Sequence, residues 1–305
     1  MIAGLAVFVA FDIALVAIAL ANRTIPVNVG EAVGASPIAK PSPTPSVSAT
    51  PAEVDVPAEI APAVAPTRTI AALDGSTAWR AQTGNCPADA ATVQLTTDSG
   101  AEWMSFDASI ATGASRILAI NALGAATASM VTLQSEQCAP QVVVTFVAGE
   151  EWADQSDRLD GNWYIDPIDA TTVHSPAGAF GIACDSAVAL AARSDTQAAV
   201  VCADGNVFRT DDGGTAWQQP VAAPGTANLT GDGNGYLLAM TDQPGCNGVQ
   251  LVGIAATGSD TLTPISCVEA SFKPGEVALA SADGAVWLWA GEQLALSSDG
   301  GATWQ

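Results

Sequence analysis

Few side chains in this sequence are of a type and spacing that could do chemistry. Asp157, Asp160, Asp166 and Asp169 gather around Trp163 and Tyr164. A pair of carboxylates flanking a sugar is the usual apparatus of glycoside hydrolysis, and general acid–base work in this chain could lean only on carboxylates. A solvated structural loop explains the same cluster more cheaply. GDGNG at Gly231–Gly235 looks like part of a calcium loop, but the spaced oxygen ligands of an EF-hand are missing, so it reads as a turn. His174, between Val173 and Ser175, is the only histidine. No histidine-based triad can be assembled, and neither a Walker loop nor a Gly-x-Ser-x-Gly elbow occurs. No catalytic residue, metal site or cofactor is expected.

The elements that would position these groups are announced by a repeat. TTDSGAEW (Thr96 to Trp103), TDDGGTAW (Thr210 to Trp217) and SSDGGATW (Ser297 to Trp304) share Ser or Thr, any residue, Asp, any, Gly, two more, then Trp. Asp98, Asp212 and Asp299 are placed to turn their carboxylates onto backbone N–H groups one or two residues ahead, as in an Asx-turn. Gly100, Gly214 and Gly301 supply the positive φ of a tight corner. Trp103, Trp217 and Trp304 bring a large apolar surface under that corner. The pattern resembles the Asp-box of the bacterial-neuraminidase repeat, which forms the turn between the third and fourth strands of a β-propeller blade. It is a fold staple, not a reactive centre.

With blades of roughly 40 to 50 residues, the spacings Asp98 to Asp212 and Asp212 to Asp299 each leave room for a blade whose box has decayed. Gly149 and Trp152 keep the end of the pattern in the first gap; Gly253 to Ser266 keeps a Gly-Ser-Asp turn in the second. Short apolar runs bounded by Gly, Asp and Asn mark strands at Arg116–Leu123, Gln141–Val147, Ala187–Ala192, Ala198–Cys202, Tyr236–Met240, Val249–Ala255, Glu276–Ala280 and Ala285–Trp289. An all-β propeller over residues 67–305 follows, of five four-stranded blades, with room for six but not seven. Gln305 stands one residue into a last fourth strand, so either that strand is very short or the segment near Arg68–Leu73 closes the ring.

The resemblance extends to sialidases, photosystem-assembly propellers, sortilin-type receptors and unassigned bacterial surface proteins, so it implies a fold and not an activity. A sialidase would need three arginines converging on a carboxylate, a nucleophilic Tyr with a Glu partner and an Asp acid. Bidentate carboxylate recognition is what demands arginine there. Arg80, Arg116, Arg158 and Arg193 with Tyr164 or Tyr236 are the nominees, but the Phe/Tyr-Arg-Ile-Pro motif is absent. Its nearest look-alike, Phe208-Arg209-Thr210, runs into a box and belongs on a third strand.

Six cysteines, Cys86, Cys138, Cys184, Cys202, Cys246 and Cys267, all fall in the globular part and none forms a CxxC pair. Disulfides in an oxidising compartment account for them better than zinc. Fifteen connectivities are open; local hairpins favour Cys184 with Cys202 and Cys246 with Cys267, which leaves Cys86 with Cys138.

Charge limits the partners. The formal net charge is −22, with 9 basic against 31 acidic residues, so nucleic acid and anionic head groups would be repelled. Upstream of the propeller lies a segment, residues 1–22, whose stretch Met1 to Ala21 is apolar apart from Asp12 and long enough to span a bilayer. Ala19-Leu20-Ala21 also has the form of a signal-peptidase site, the secreted alternative. Residues 23–66 form a linker rich in Pro, Ala and Ser that cannot bury enough apolar surface to order itself. The expectation is therefore a membrane-tethered, extracytoplasmic, non-catalytic propeller that binds a protein or a cell-envelope glycan. The alternative is a cell-envelope glycoside hydrolase.

Overall fold

The computed structural model describes residues 60–305; the apolar segment 1–22 and most of the linker lie outside the described residues. Among the described residues, no helix is long and apolar enough to cross a membrane. Strands form six antiparallel sheets, each drawn from one continuous stretch of chain. Blade 1 comprises β1 (Arg68–Ala72), β2 (Ala78–Gln82), β3 (Thr92–Thr96) and β4 (Met104–Asp107). Blade 2 comprises β5 (Ala114–Gly124), β6 (Thr127–Gln134), β7 (Pro140–Thr145) and β8 (Ala153–Asp154). Blade 3 has only β9 (Tyr164–Ile165), β10 (Thr172–Ser175) and β11 (Gly178–Gly181). Blade 4 comprises β12 (Ala187–Ala192), β13 (Ala198–Cys202), β14 (Asn206–Thr210) and β15 (Val221–Ala222). Blade 5 comprises β16 (Thr226–Gly231), β17 (Gly235–Met240), β18 (Gly248–Ala255) and β19 (Thr263–Glu269). Blade 6 comprises β20 (Val277–Ala282), β21 (Ala285–Ala290) and β22 (Gln293–Ser297), with Gln305 exchanging two backbone hydrogen bonds with Leu296 in the fourth-strand position.

The innermost strands neighbour one another in the order β1, β5, β9, β12, β16, β20 and back to β1, so the sheets form a closed six-bladed propeller. Six is the upper of the two blade numbers the sequence allowed. The first gap between boxes holds two blades, not one, because blade 3 is compressed to three short strands.

Each blade is buried on both faces by its neighbours, which is why the middle strands read as continuous apolar runs and not as alternations. All of β13 (AAVVC) and β17 (GYLLAM) is buried. Near the axis the wedges converge, and the inner strands use small residues: RTIAA in β1, AVALAA in β12 and VALASA in β20. The core is accordingly a ring of six seams. Trp79, Ile117, Met130 and Trp152 fill the seam between blades 1 and 2. Val131, Val142, Val144 and Tyr164 fill the next, and Trp163, Val173, Val200 and Phe208 the third. Val201, Leu229, Tyr236 and Leu238 pack between blades 4 and 5, and Leu251, Leu279 and Leu288 between blades 5 and 6.

The closing seam, between blades 6 and 1, is held by side chains. Ile70, Ala78, Ala280 and Trp287 form its apolar part. Trp287 Nε1 donates to Asp74 O at 2.9 Å, and Arg68 Nη1 donates to Gly291 O at 2.5 Å. The Arg80 guanidinium lies 3.9 Å from the Trp103 ring centre and 4.8 Å from that of Trp289, while Arg68 lies 4.4 Å from Trp289. Indole and guanidinium thus alternate across the seam, and desolvated contacts of this kind contribute up to about 2 kcal/mol each.

Three disulfides reinforce the blades. Cys184–Cys202 ties the β11–β12 connection to the end of β13, Cys246–Cys267 lies within blade 5, and Cys86–Cys138 ties the β2–β3 loop of blade 1 to the β6–β7 turn of blade 2.

Candidate functional site

The three repeated corners share one hydrogen-bond scheme. Thr96, Thr210 and Ser297 donate their hydroxyls to Asp98, Asp212 and Asp299 at 2.7, 2.9 and 2.7 Å. The same hydroxyls accept the N–H of Gly100, Gly214 and Gly301 at 3.0, 3.0 and 2.9 Å. Each carboxylate accepts an N–H four residues ahead, from Glu102, Ala216 or Thr303, at 3.0, 3.0 and 2.8 Å. The local Asx geometry read from the sequence, one or two residues ahead, is thus replaced by a wider loop in which the hydroxyl closes the inner turn.

These corners lie after β3, β14 and β22, and each rests on the preceding blade. A Cβ on Gly100 would strike Leu294 of blade 6, one on Gly214 would press Phe180 of blade 3, and one on Gly301 would strike Leu251 of blade 5. Trp103 Nε1 donates to Gly100 O at 3.1 Å, Trp217 packs with the blade 3–4 cluster, and Trp304 Nε1 donates to Ser266 Oγ at 2.9 Å.

Blade 2 keeps the scheme without the aspartate. Thr145 Oγ1 accepts the Gly149 N–H at 2.9 Å, and Val147 stands where the Asp would be. Blade 5 has no such corner. Its β18–β19 turn is held by Arg209, whose Nη1 donates to Ala255 O at 2.6 Å and to Ser259 O at 2.9 Å, and whose Nη2 pairs with Asp260. Arg209 is 1% exposed, so the look-alike of a substrate-binding arginine is a structural tie.

The hydrogen bonds to Asp299, from the Thr303 N–H and hydroxyl and the Ser297 hydroxyl, hold its carboxyl down at about 2 against an ordinary 3.8. A folded-state pKa below the unfolded one adds stability that is complete above about pH 4 and is lost as the pH falls through about 2. Asp299→Asn removes this contribution. The gap in melting temperature between wild type and variant is expected to be widest at neutral pH and to narrow from pH 4 to pH 2, as read by thermal melts at four pH values.

The inner strands surround a central cavity of about 1390 Å³. Part of its wall is formed by blade 3. There Trp163 donates to Ser194 O at the exit end of β12, and Ser175 at the β10–β11 turn donates to Gly213 O in the blade 4 corner. β9 takes the innermost place in blade 3, between β5 and β12, and is preceded by a 3-10 turn at Ser156–Gly161. β9 brings Tyr164 and the adjoining Asp166 to the cavity wall, with Arg116, Arg158 and Asn162. The Tyr164 ring stacks on His174 at 4.3 Å, and His174 Nε2 lies 3.0 Å from Asp166 Oδ2.

Burial and hydrogen bonding set the state of these groups. Burial, with Asp166 and Asp160 nearby, raises the Tyr164 phenol, and burial pushes Tyr236 up to about 12. Burial opposes ionisation of Asp166, but the bonds from His174 and the Asp169 and Ile168 N–H groups outweigh it and lower the carboxyl; Thr171 and Thr172 lower that of Asp169. A general acid needs the reverse. Asp157 lies in the 3-10 turn with Asp160, apart from this network.

The arginines also part company. Arg80 is enclosed in the closing seam, whereas Arg193 donates to Asp232 O and Gly233 O at 3.0 and 3.1 Å and to Gln197. The latter contacts consume the GDGNG loop, whose Asp232 carboxylate caps Asn234 and Gly235 N–H groups. Among the described residues, no group of three or more His, Cys, Asp or Glu side chains is arranged to hold a metal ion.

Solved propellers resemble the chain distantly. A YCF48 protein bound to a D1 peptide is 19% identical, with a TM-score of 0.32 over 81% of this chain and 83% of that one. YCF48 from Cyanidioschyzon merolae is 20% identical, with a TM-score of 0.29 over 76% and 69%. An ancestral GH74 enzyme is 13% identical, with a TM-score of 0.29 over 81% of this chain and 32% of that one. Likeness at this level carries no inference about ligand or activity. No family model matches the chain, and no curated protein sequence matches it.

Proposed function

We propose that the chain is a non-catalytic binding propeller of the Asp-box type, held outside the cytoplasm by its apolar N-terminal segment and Pro-rich spacer, and that it engages a protein or cell-envelope ligand at its central cavity. The observation that carries this reading is the disposition of the reactive groups. Of the four nominated arginines, Arg80 is committed to the closing seam and Arg193 to the GDGNG turn, so the four do not supply the three unengaged guanidiniums that a carboxylate clamp needs. Three disulfides support an oxidising compartment, and the strongly acidic surface argues against nucleic acid.

The test is to express the full chain in an oxidising host and to present it with envelope fractions, peptide arrays and a glycan panel. Retention of a protein or glycan with no product formed is the expected result. Turnover of any glycan would overturn the non-catalytic reading.

A further inference from the structure

A short segment upstream of β1 runs along one mouth of the cavity. Residues 60–66, which the composition places in the linker, lie against the propeller. Ala63 N–H donates to Ala203 O at 2.9 Å, and Ala63 packs with the cluster of blades 4 and 5. Ala203 itself bonds Ser186 O, just before β12. At the other end, Thr67 donates both its N–H and its hydroxyl to Gly275 O, just before β20, at 2.8 and 3.1 Å, and Thr83 donates to Pro66 O at 3.4 Å. Gly275 precedes β20, while Ala203 and Thr83 follow β13 and β2 and bond the residues just before β12 and β1, so all three lie at the end of the ring where innermost strands begin. The four steps from Ala63 to Thr67 reach roughly 13 Å when extended, enough to carry the chain from blade 4 across the mouth to blades 6 and 1.

The seat is shaped for an extended chain with small side chains. Gly275 adopts φ +84°, and a Cβ there would stand 3.1 Å from Ala65 O and 3.2 Å from the Thr67 methyl. Ala63, Val64, Ala65 and Pro66 all line the cavity, yet Val64 is 43% exposed and only the Ala63 N–H anchors the strap at its blade 4 end. The strap is therefore fixed firmly at Thr67 and lightly at Ala63.

We infer that this mouth is a docking groove for an extended peptide with small apolar side chains, occupied in cis by residues 60–66, and that a partner segment of that chemistry enters by displacing the strap from Ala203. This rests on the reading of the central cavity as the ligand site. Glycan turnover would sink that reading while leaving strap exchange measurable, so the two can fail separately.

The probe is a fluorescently labelled synthetic peptide spanning residues 57–67, added to the full oxidised chain. Ala63→Pro deletes the N–H that reaches Ala203. In that variant the strap is expected to be cut faster by a nonspecific protease and the labelled peptide to bind; in wild type, with the seat occupied, apparent affinity falls by about tenfold or more. An Ala63→Cys/Ala203→Cys pair, oxidised, links strap to groove and should abolish peptide binding. Faster cutting of Ala63→Pro without peptide binding would overturn the proposal. So would unchanged cutting in both Ala63→Pro and Ala63→Pro/Thr67→Pro, since the strap would then not be displaceable. Binding to the linked protein equal to that of wild type would overturn it as well.

Discussion

Replacing Arg209 by methionine is expected to lower the stability of the propeller by about 1–3 kcal/mol, the range for leaving a hydrogen-bonding group unsatisfied. The loss arises mainly from the backbone. Ala255 O and Ser259 O each lose a guanidinium donor in the corner of blade 5; Ser259 is exposed and its carbonyl regains water, so the cost falls mainly on the half-buried Ala255 O. Asp260, at 71% side-chain exposure, regains water and contributes little of its own. Arg209→Lys keeps the charge but presents a compact ammonium in place of the planar fork, so it should recover only part of the loss. Urea denaturation gives the magnitude, and hydrogen exchange across Gly258–Thr263 gives the location. A loss under about 1 kcal/mol would mean that the β18–β19 hairpin holds its own shape.

Removing the Cys86–Cys138 bridge, as Cys86→Ser/Cys138→Ser, is expected to be the most damaging of the three disulfide deletions. Its cysteines are 52 residues apart, against 18 and 21 for the other pairs. Loop-closure entropy then assigns it about 4 kcal/mol and each of the others about 3 kcal/mol. It is also the only one of the three that joins two blades, so its loss should loosen the seam containing Trp79 and Trp152. Guanidinium titrations of the three double serine variants rank them directly. A smaller effect at Cys86–Cys138 than at Cys184–Cys202 would show that the denatured chain already restricts the longer loop.

Much of the architecture was legible because propeller strands leave strong local marks. The runs at Ala187–Ala192 and Ala198–Cys202 coincide with β12 and β13, and the run at Ala285–Trp289 falls one residue short of the end of β21. Blade 3 was not legible. Its strands of two and four residues are too short to show a period, and Gly178 and Gly181 interrupt what remains. The blade count suffered for that reason.

At the corners, the aspartate and glycine could be read from turn chemistry, but the two-way use of the Thr96, Thr210 and Ser297 hydroxyls could not, because it depends on the fold of the whole loop. Thr145 shows what signal was available: a hydroxyl four residues before Gly149, in a box without its carboxylate. The tie made by Arg209 and the seating of Ala63 on Ala203 join residues far apart in sequence, and neither side of such a pair carries a local mark.

The side-chain closure between blades 6 and 1 bears on how such a molecule can change over generations. Because no strand is lent from one blade to another among the described residues, each wedge is encoded by a single uninterrupted segment. A wedge can be shortened, as the third has been, or recruited from a duplicated copy without rethreading its neighbours. What selection must preserve at the join is a handful of indole and guanidinium contacts, which frees the remaining wedges to diverge in the surface they present to the axis.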